Sequence, residues 1–197
     1  MIEGIEDRNT VGIEVYDVLS KDECNSIISS FERDRRIEPG LVSQTVDINK
    51  KKSTDLKADF TNNIEYGEYN NIILPALVSA KDEYLRKYPQ LSNGPRFNIV
   101  GKYNIQRYVE GEGYFAEHCE HSGMYPYRML VWSMFLNDAK CGTYFTQFDK
   151  TIPAVGGSLI IFPAFWLYQH RGVVPNIGIK YIATGWWEYD AAKTIGD

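Results

Sequence analysis

Four residues carry the chemistry open to this sequence: His118, Glu120, His170 and Lys180. The chain has only three histidines, and two of them stand in this set. Side chains two apart on an extended strand share a face, so His118 and Glu120 can reach one metal ion together. His170, from a distant strand, completes two nitrogens and one carboxylate on one side of an octahedron. That arrangement leaves three positions open and is the signature of non-haem Fe(II) centres that handle oxygen. Lys180, ten residues beyond His170, is spaced to give a positive charge to an acidic co-substrate. Taken singly, each residue has an ordinary reading as a strand-edge or structural side chain, and it is the joint pattern that carries weight. His121 falls on the opposite strand face from Glu120 and reads as non-ligating, and Cys119 reads as packing.

The flanking segments agree with this pattern. Gln106-Arg107-Tyr108, Gly111, Gly113 and Tyr114 lead into His118-Cys119-Glu120. Arg128, Phe135-Leu136-Asn137-Asp138, Gly142-Thr143-Tyr144-Phe145 and Phe162-Pro163-Ala164 follow, then His170-Arg171-Gly172 and Lys180 to Trp186. In order and spacing these segments, over residues 96 to 190, resemble the 2-oxoglutarate- and Fe(II)-dependent dioxygenases of the prolyl 4-hydroxylase-like branch. Residues 12 to 36 are similar to the opening strand and helix of that family.

The resemblance implies a mainly β fold with supporting helices, the double-stranded β-helix or jelly roll. It implies Fe(II) held by His118, Glu120 and His170 as the catalytic metal centre, inside one open end of the barrel. 2-Oxoglutarate is the implied co-substrate, with its far carboxylate on Lys180, Tyr108 donating a hydrogen bond to it and Thr184 offering a hydroxyl. Tyr108 reads equally well as a core aromatic. O₂ is the other implied co-substrate and ascorbate the implied reductant. The implied reaction is hydroxylation of a peptidyl proline or a related C–H bond, with release of succinate and CO₂. Three positions depart from the branch: Glu120 stands where aspartate is usual, Phe135 lacks the hydroxyl of a usual tyrosine, and Tyr144 replaces an acidic residue. They leave open a catalytically weak or inactive metal-binding module, or a hydroxylase of a free amino acid or small molecule.

These residues need a scaffold, and the rest of the chain describes one. With 197 residues and 44% hydrophobic content, the chain suits a single domain, 1–197, that buries a sizeable core. Residues 1–95 read as helical and strand support, and 96–190 as the catalytic jelly roll. Ser20-Lys21-Asp22-Glu23 is a capping box, opening a helix over about 21 to 35 that Pro39-Gly40 ends. Ile72, Ile73, Ala76, Leu77, Ala80, Tyr84 and Leu85 make the apolar stripe of a second helix over 66 to 88, with Pro75 as a kink or a restart. Leu41, Val42, Val46 and Ile48 suggest short strands among turns, and the polar region from 43 to 62 reads as a mobile lid. The run Lys50-Lys51-Lys52 reads as a solvated loop. Tyr127 to Asn137 has the density of a strand buried on both faces, and Ser158–Pro163 and Lys180–Tyr189 are similar. Period two puts Lys180, Ile182, Thr184 and Trp186 on one inward face. Tyr125, Tyr127, Trp166 and Trp186 are candidate rings for packing against a proline.

Composition also excludes. A net charge of −5 argues against nucleic acid as a partner. No run of eighteen apolar residues exists, so no membrane span is expected. The acidic start, Met1 to Asp7, lacks the order of a signal peptide. Three widely spaced cysteines point to reduced thiols, and the expected location is the cytoplasm.

Overall fold

The computed structural model describes residues 10–42 and 45–190; the acidic start, Met1 to Asp7, and Ser43 and Gln44 of the expected lid lie outside them. Among the described residues no helix is long and apolar enough to cross a membrane, and Cys24, Cys119 and Cys141 are free thiols.

The first strand, β1 (Glu14–Asp17), leads into α1 (Lys21–Arg33). The capping box forms as expected: the Ser20 side chain accepts from the Glu23 amide, and Glu23 accepts from the Ser20 amide at 2.8 Å. The helix ends before the expected Pro39-Gly40. At Asp34 the backbone turns extended, and its carboxylate takes both the Arg36 amide at 2.9 Å and the Arg36 guanidinium. A local side-chain partner of this kind competes with helical hydrogen bonding.

Next come β2 (Glu38–Pro39), β3 (Lys51–Lys52) and β4 (Thr54–Asp59), then α2 (Asn63–Lys87) with Asn62 as its cap. Tyr69, Ile73, Leu77, Ala80 and Tyr84 form its buried stripe. Pro75 neither ends nor restarts this helix. It lies on the exposed face, where water can take the carbonyl that a proline leaves without a donor.

The sheet half comprises β5 (Phe97–Ile99), β6 (Lys102–Tyr108), β7 (Gly113–Tyr114), β8 (Arg128–Phe135), β9 (Ala139–Phe145), β10 (Lys150–Ala154), β11 (Ser158–Pro163), β12 (His170–Gly172) and β13 (Lys180–Tyr189). An eight-stranded antiparallel sheet runs β1-β11-β8-β13-β6-β4-β2, with β5 paired to the far end of β13. A three-stranded sheet, β10-β9-β12, and the ribbon β3-β7 complete the jelly roll. The two layers are therefore unequal, and strands from the N-terminal half, β1, β2 and β4, belong to the large sheet.

Alternation along the central strands sorts residues between two cores. Leu130, Trp132, Met134, Tyr181, Ala183 and Trp187 face the helices with Ile27, Phe31, Ile73 and Leu77. Val131, Phe135, Ile160, Phe162 and Ile182 face the small sheet with Phe145 and Ile152. All eight residues of β8 are buried, as its composition implies; each large apolar side chain so enclosed contributes about 1.5–3 kcal/mol. Gly185 is the small residue that this packing demands, because a Cβ there would lie 2.6 Å from the Trp132 ring.

The region from 43 to 62 is not a lid as a whole. Its second half is β4, hydrogen-bonded on both sides, with Leu56 and Ala58 in the core. The polar residues that alternate with them hide this strand from a composition reading. Val42 and Thr45 make an isolated bridge, and Val46 and Ile48 are exposed in the following turn, not in strands. The lysine run is corrected too. Lys52 points outward, but Lys51 is 4% exposed and lies 2.5 Å from the Asp55 carboxylate, which also accepts from Ser53 and Gln106.

Asp55→Ala should destabilise the fold by roughly 3–5 kcal/mol, since it strands a buried ammonium. The double change Lys51→Met with Asp55→Leu should lose much less. Urea denaturation of both variants measures this, and equal losses would show that the pair is not what secures β3 and β4.

Candidate active site

His118, Glu120 and His170 converge, but not on strands as the spacing alone suggests. His118 and Glu120 lie in the irregular segment between β7 and β8. The backbone places them. His118 and His170 exchange both amide hydrogen bonds, at 3.0 and 2.9 Å, and the Ala164 carbonyl accepts from the amides of Glu120 and His121. Residues far apart in sequence thus become neighbours through paired amides that leave their side chains free.

The donor atoms of the three residues lie within 4.8 Å of one another. Glu120 Oε1 is 3.4 Å from His118 Nε2 and 3.9 Å from His170 Nε2. The Nδ1 atoms of His118 and His170 each stand 3.0 Å from a backbone carbonyl, of Ala116 and Tyr168 respectively. A carbonyl can only accept, so Nδ1 carries the proton and each Nε2 turns its lone pair toward the others. His118 Nε2 is buried without a hydrogen-bond partner. Two inward lone pairs, one of them orphaned, beside a carboxylate are a donor set that fits Fe(II). His121 stays outside: its Nδ1 faces the Arg128 carbonyl and its ring packs on Phe165. The Cys119 thiol turns to the His121 carbonyl.

The electrostatics suit a cation. Burial raises a carboxyl pKa, but positive charge on the adjoining imidazoles, when they carry it, and on the Arg128 guanidinium outweighs it and holds Glu120 down at about 2. Burial, with the neighbouring His118, lowers His170 to about 4, so its imidazole is neutral at neutral pH. Tyr114 stacks on the His118 ring at 3.9 Å, the His170 ring lies tilted to it at 4.4 Å, and Phe162 meets the His170 ring edge-on.

A cavity of about 580 Å³ adjoins this cluster. The inward face of β13, Lys180, Ile182, Thr184 and Trp186, lines it as period two requires. Lys180 is 2% exposed, its Nζ lying 3.4 Å from the Val173 carbonyl and 4.7 Å from the centre of the Tyr108 ring. Among the described residues no carboxylate pairs with it. Burial lowers its pKa, and such a group is poised to accept an anion from solution. Tyr108 also lines the cavity, but its hydroxyl donates to Gln106 at 2.9 Å, and burial pushes its pKa well above the ordinary value. Thr184 lines it as well, with its hydroxyl donating to the Trp132 carbonyl and accepting from Ser133. Arg171 points away, over Tyr144 and toward Glu117.

Of the four candidate rings, Tyr125 and Trp186 line the cavity. Tyr127 and Trp166 do not: they are 49% and 72% exposed. Arg128, which the sequence marked only as a flanking match without a role, binds Glu120 Oε2 through its guanidinium at 2.7 Å. A lone arginine heading an apolar strand was the available signal, since such a charge must be paired when buried. Lys51 and Tyr114 carried no such signal.

Comparison with solved structures shows the same fold at low identity. A viral collagen prolyl hydroxylase from Paramecium bursaria Chlorella virus-1, in a 2-oxoglutarate complex, aligns at 19% identity and TM-score 0.66, over 95% of this chain and 100% of that one. A prolyl 4-hydroxylase from Pseudomonas putida aligns at 17% identity and TM-score 0.67, over 90% and 92%. A prolyl hydroxylase from Trichoplax adhaerens, in complex with a hypoxia inducible factor oxygen degradation domain peptide fragment, aligns at 15% and 0.69, over 91% and 84%. No protein-family model and no curated protein sequence matches the chain. The chain therefore has the double-stranded β-helix fold of these hydroxylases.

His118→Ala and His170→Ala should each remove measurable Fe(II) binding in anaerobic calorimetry, because two ligands cannot hold a labile ion. Glu120→Asp should retain part of it. Unchanged affinity in either histidine variant would exclude the three-residue centre.

Proposed function

We propose that this chain is an Fe(II)- and 2-oxoglutarate-dependent dioxygenase that hydroxylates a peptidyl proline or a related C–H bond. The observation that carries the proposal is the buried ammonium of Lys180 in the same cavity as the inward-facing His118, Glu120 and His170. One group calls for a divalent cation and the other for an anion, and 2-oxoglutarate with iron meets both demands. Iron held by the three residues supplies oxygen activation coupled to decarboxylation of the 2-oxo acid, with release of succinate and CO₂.

The protein's own groups divide the remaining work. His118, Glu120 and His170 would hold the ion. Lys180 neutralises the far carboxylate, a charge-assisted bond in a site shielded from water. Tyr108 positions that ammonium by its ring, and its hydroxyl can turn from Gln106 toward the bound acid. Thr184 contributes shape, its proton being committed to Trp132. Phe135, fully buried beside its cross-strand neighbour Ile182, adds no polar contact, so Lys180 carries most of the recognition. Ascorbate is the proposed reductant. Tyr125 and Trp186 supply the aromatic wall for the primary substrate. The peptide reading draws on the resemblance to prolyl 4-hydroxylases and on the Trichoplax neighbour, solved with a peptide.

Lys180→Ala should weaken 2-oxoglutarate binding by roughly 1.5–3 kcal/mol, about ten- to hundredfold, with Fe(II) affinity unchanged. Titration of the iron-loaded protein with the acid measures it, and parental affinity would discard the counter-charge. Proline-containing peptides should raise succinate production above the uncoupled background and gain the mass of one oxygen. Stimulation by a free amino acid or other small molecule but by no peptide would replace the peptide reading, and no succinate under any condition would leave a metal-binding module.

A further inference from the structure

Glu120 has one methylene more than the aspartate that the prolyl 4-hydroxylase-like pattern leads one to expect, and its two oxygens are treated differently. Oε1 turns to the histidines, at 3.4 and 3.9 Å. Oε2 is taken by Arg128 Nη1 at 2.7 Å. The arginine itself has little freedom. Its guanidinium carbon lies 3.5 Å from the centre of the Trp186 ring and 3.8 Å from that of Tyr125, its Nε is 3.7 Å from Glu188, and its side chain is 10% exposed. A planar cation clamped between two aromatic faces is a rigid anchor.

Building on the metal reading proposed above, we infer that Arg128 is a positioning residue that makes Glu120 a one-oxygen ligand. It binds Oε2, withholds that oxygen from the ion, and fixes the long glutamate so that Oε1 alone faces the two imidazoles. A glutamate has one more rotatable bond than an aspartate, and the clamp removes the freedom that this bond adds. Arg128 thereby offsets the substitution at the carboxylate position. Keeping the second oxygen away also preserves room for the co-substrate beside Lys180.

The test uses the whole chain with Co(II) as the probe, its affinity read by calorimetry and its environment by the visible absorption band. Arg128→Gln should weaken Co(II) binding about 10- to 100-fold, the usual effect of removing a partner behind a metal ligand, and should alter the band. Arg128→Lys should recover part of the affinity. Glu120→Asp should also weaken binding, because the shorter side chain cannot reach arginine and ion together. The double variant Arg128→Gln/Glu120→Asp should then lose no more than the worse single variant, since either change already breaks the pair. Losses that add, or parental affinity and an unchanged band in Arg128→Gln, would overturn the inference. If the glutamine variant does not fold, the lysine variant takes its place in the cycle. Failure of both to fold would assign Arg128 to the fold and overturn the positioning role. A parent chain that binds no Co(II) would instead refute the metal reading itself, whereas a parent that binds while the Arg128 variants match it refutes the inference alone.

Discussion

The reciprocal amide pair between His118 and His170 is the contact on which the site depends. It stitches an irregular segment, which has no strand of its own at that point, to the start of β12 and so to the small sheet. Both histidines are then held by backbone bonds, and their side chains need only be oriented. The Ala116 and Tyr168 carbonyls do that by taking the Nδ1 protons. Backbone hydrogen bonds serve this purpose well because their geometry does not depend on which side chain occupies the position.

Around this pair the structure manages charge in a water-poor space, in three ways. Lys51 and Asp55 neutralise each other and tie β3 to β4. Arg128 and Glu120 pair while leaving one carboxylate oxygen for other work. Among the described residues no carboxylate pairs with Lys180, and its ammonium lines the cavity, which is what the proposed counter-charge role requires. Buried charges are tolerated only when paired or bound, and among the described residues the buried lysine without a carboxylate lies in the cavity beside the histidines. The Gln106 amide joins the first system to Tyr108 and thus to the surroundings of Lys180.

Features legible from local sequence are those that local physics decides. The capping box at Ser20 and Glu23 is a contact within one turn. The central strands β8 and β13 declare themselves by long apolar runs and strict alternation, and the inward face of β13 follows from period two. Strand β4 escaped notice because each core residue is flanked by a charged one, Asp55 and Lys57 around Leu56. Lys51 looked solvated because its partner lies on the next strand and its cover, Tyr114, lies beyond a long excursion of chain.

The residue types and spacings by themselves determined which groups could bind a metal and an anion: two imidazoles, a carboxylate and a lysine on an inward-facing strand. Chemistry of that kind resides in the side chains and survives any uncertainty about the path between them. Only the tertiary structure decided how the groups meet. It replaced the supposed strand at His118 and Glu120 with a loop held by amide pairs, removed Tyr127 and Trp166 from the cavity, and brought Arg128 behind Glu120. These outcomes depend on which distant backbone groups pair and on which surfaces close over one another. No local pattern encodes those choices, because they come from packing the whole chain at once.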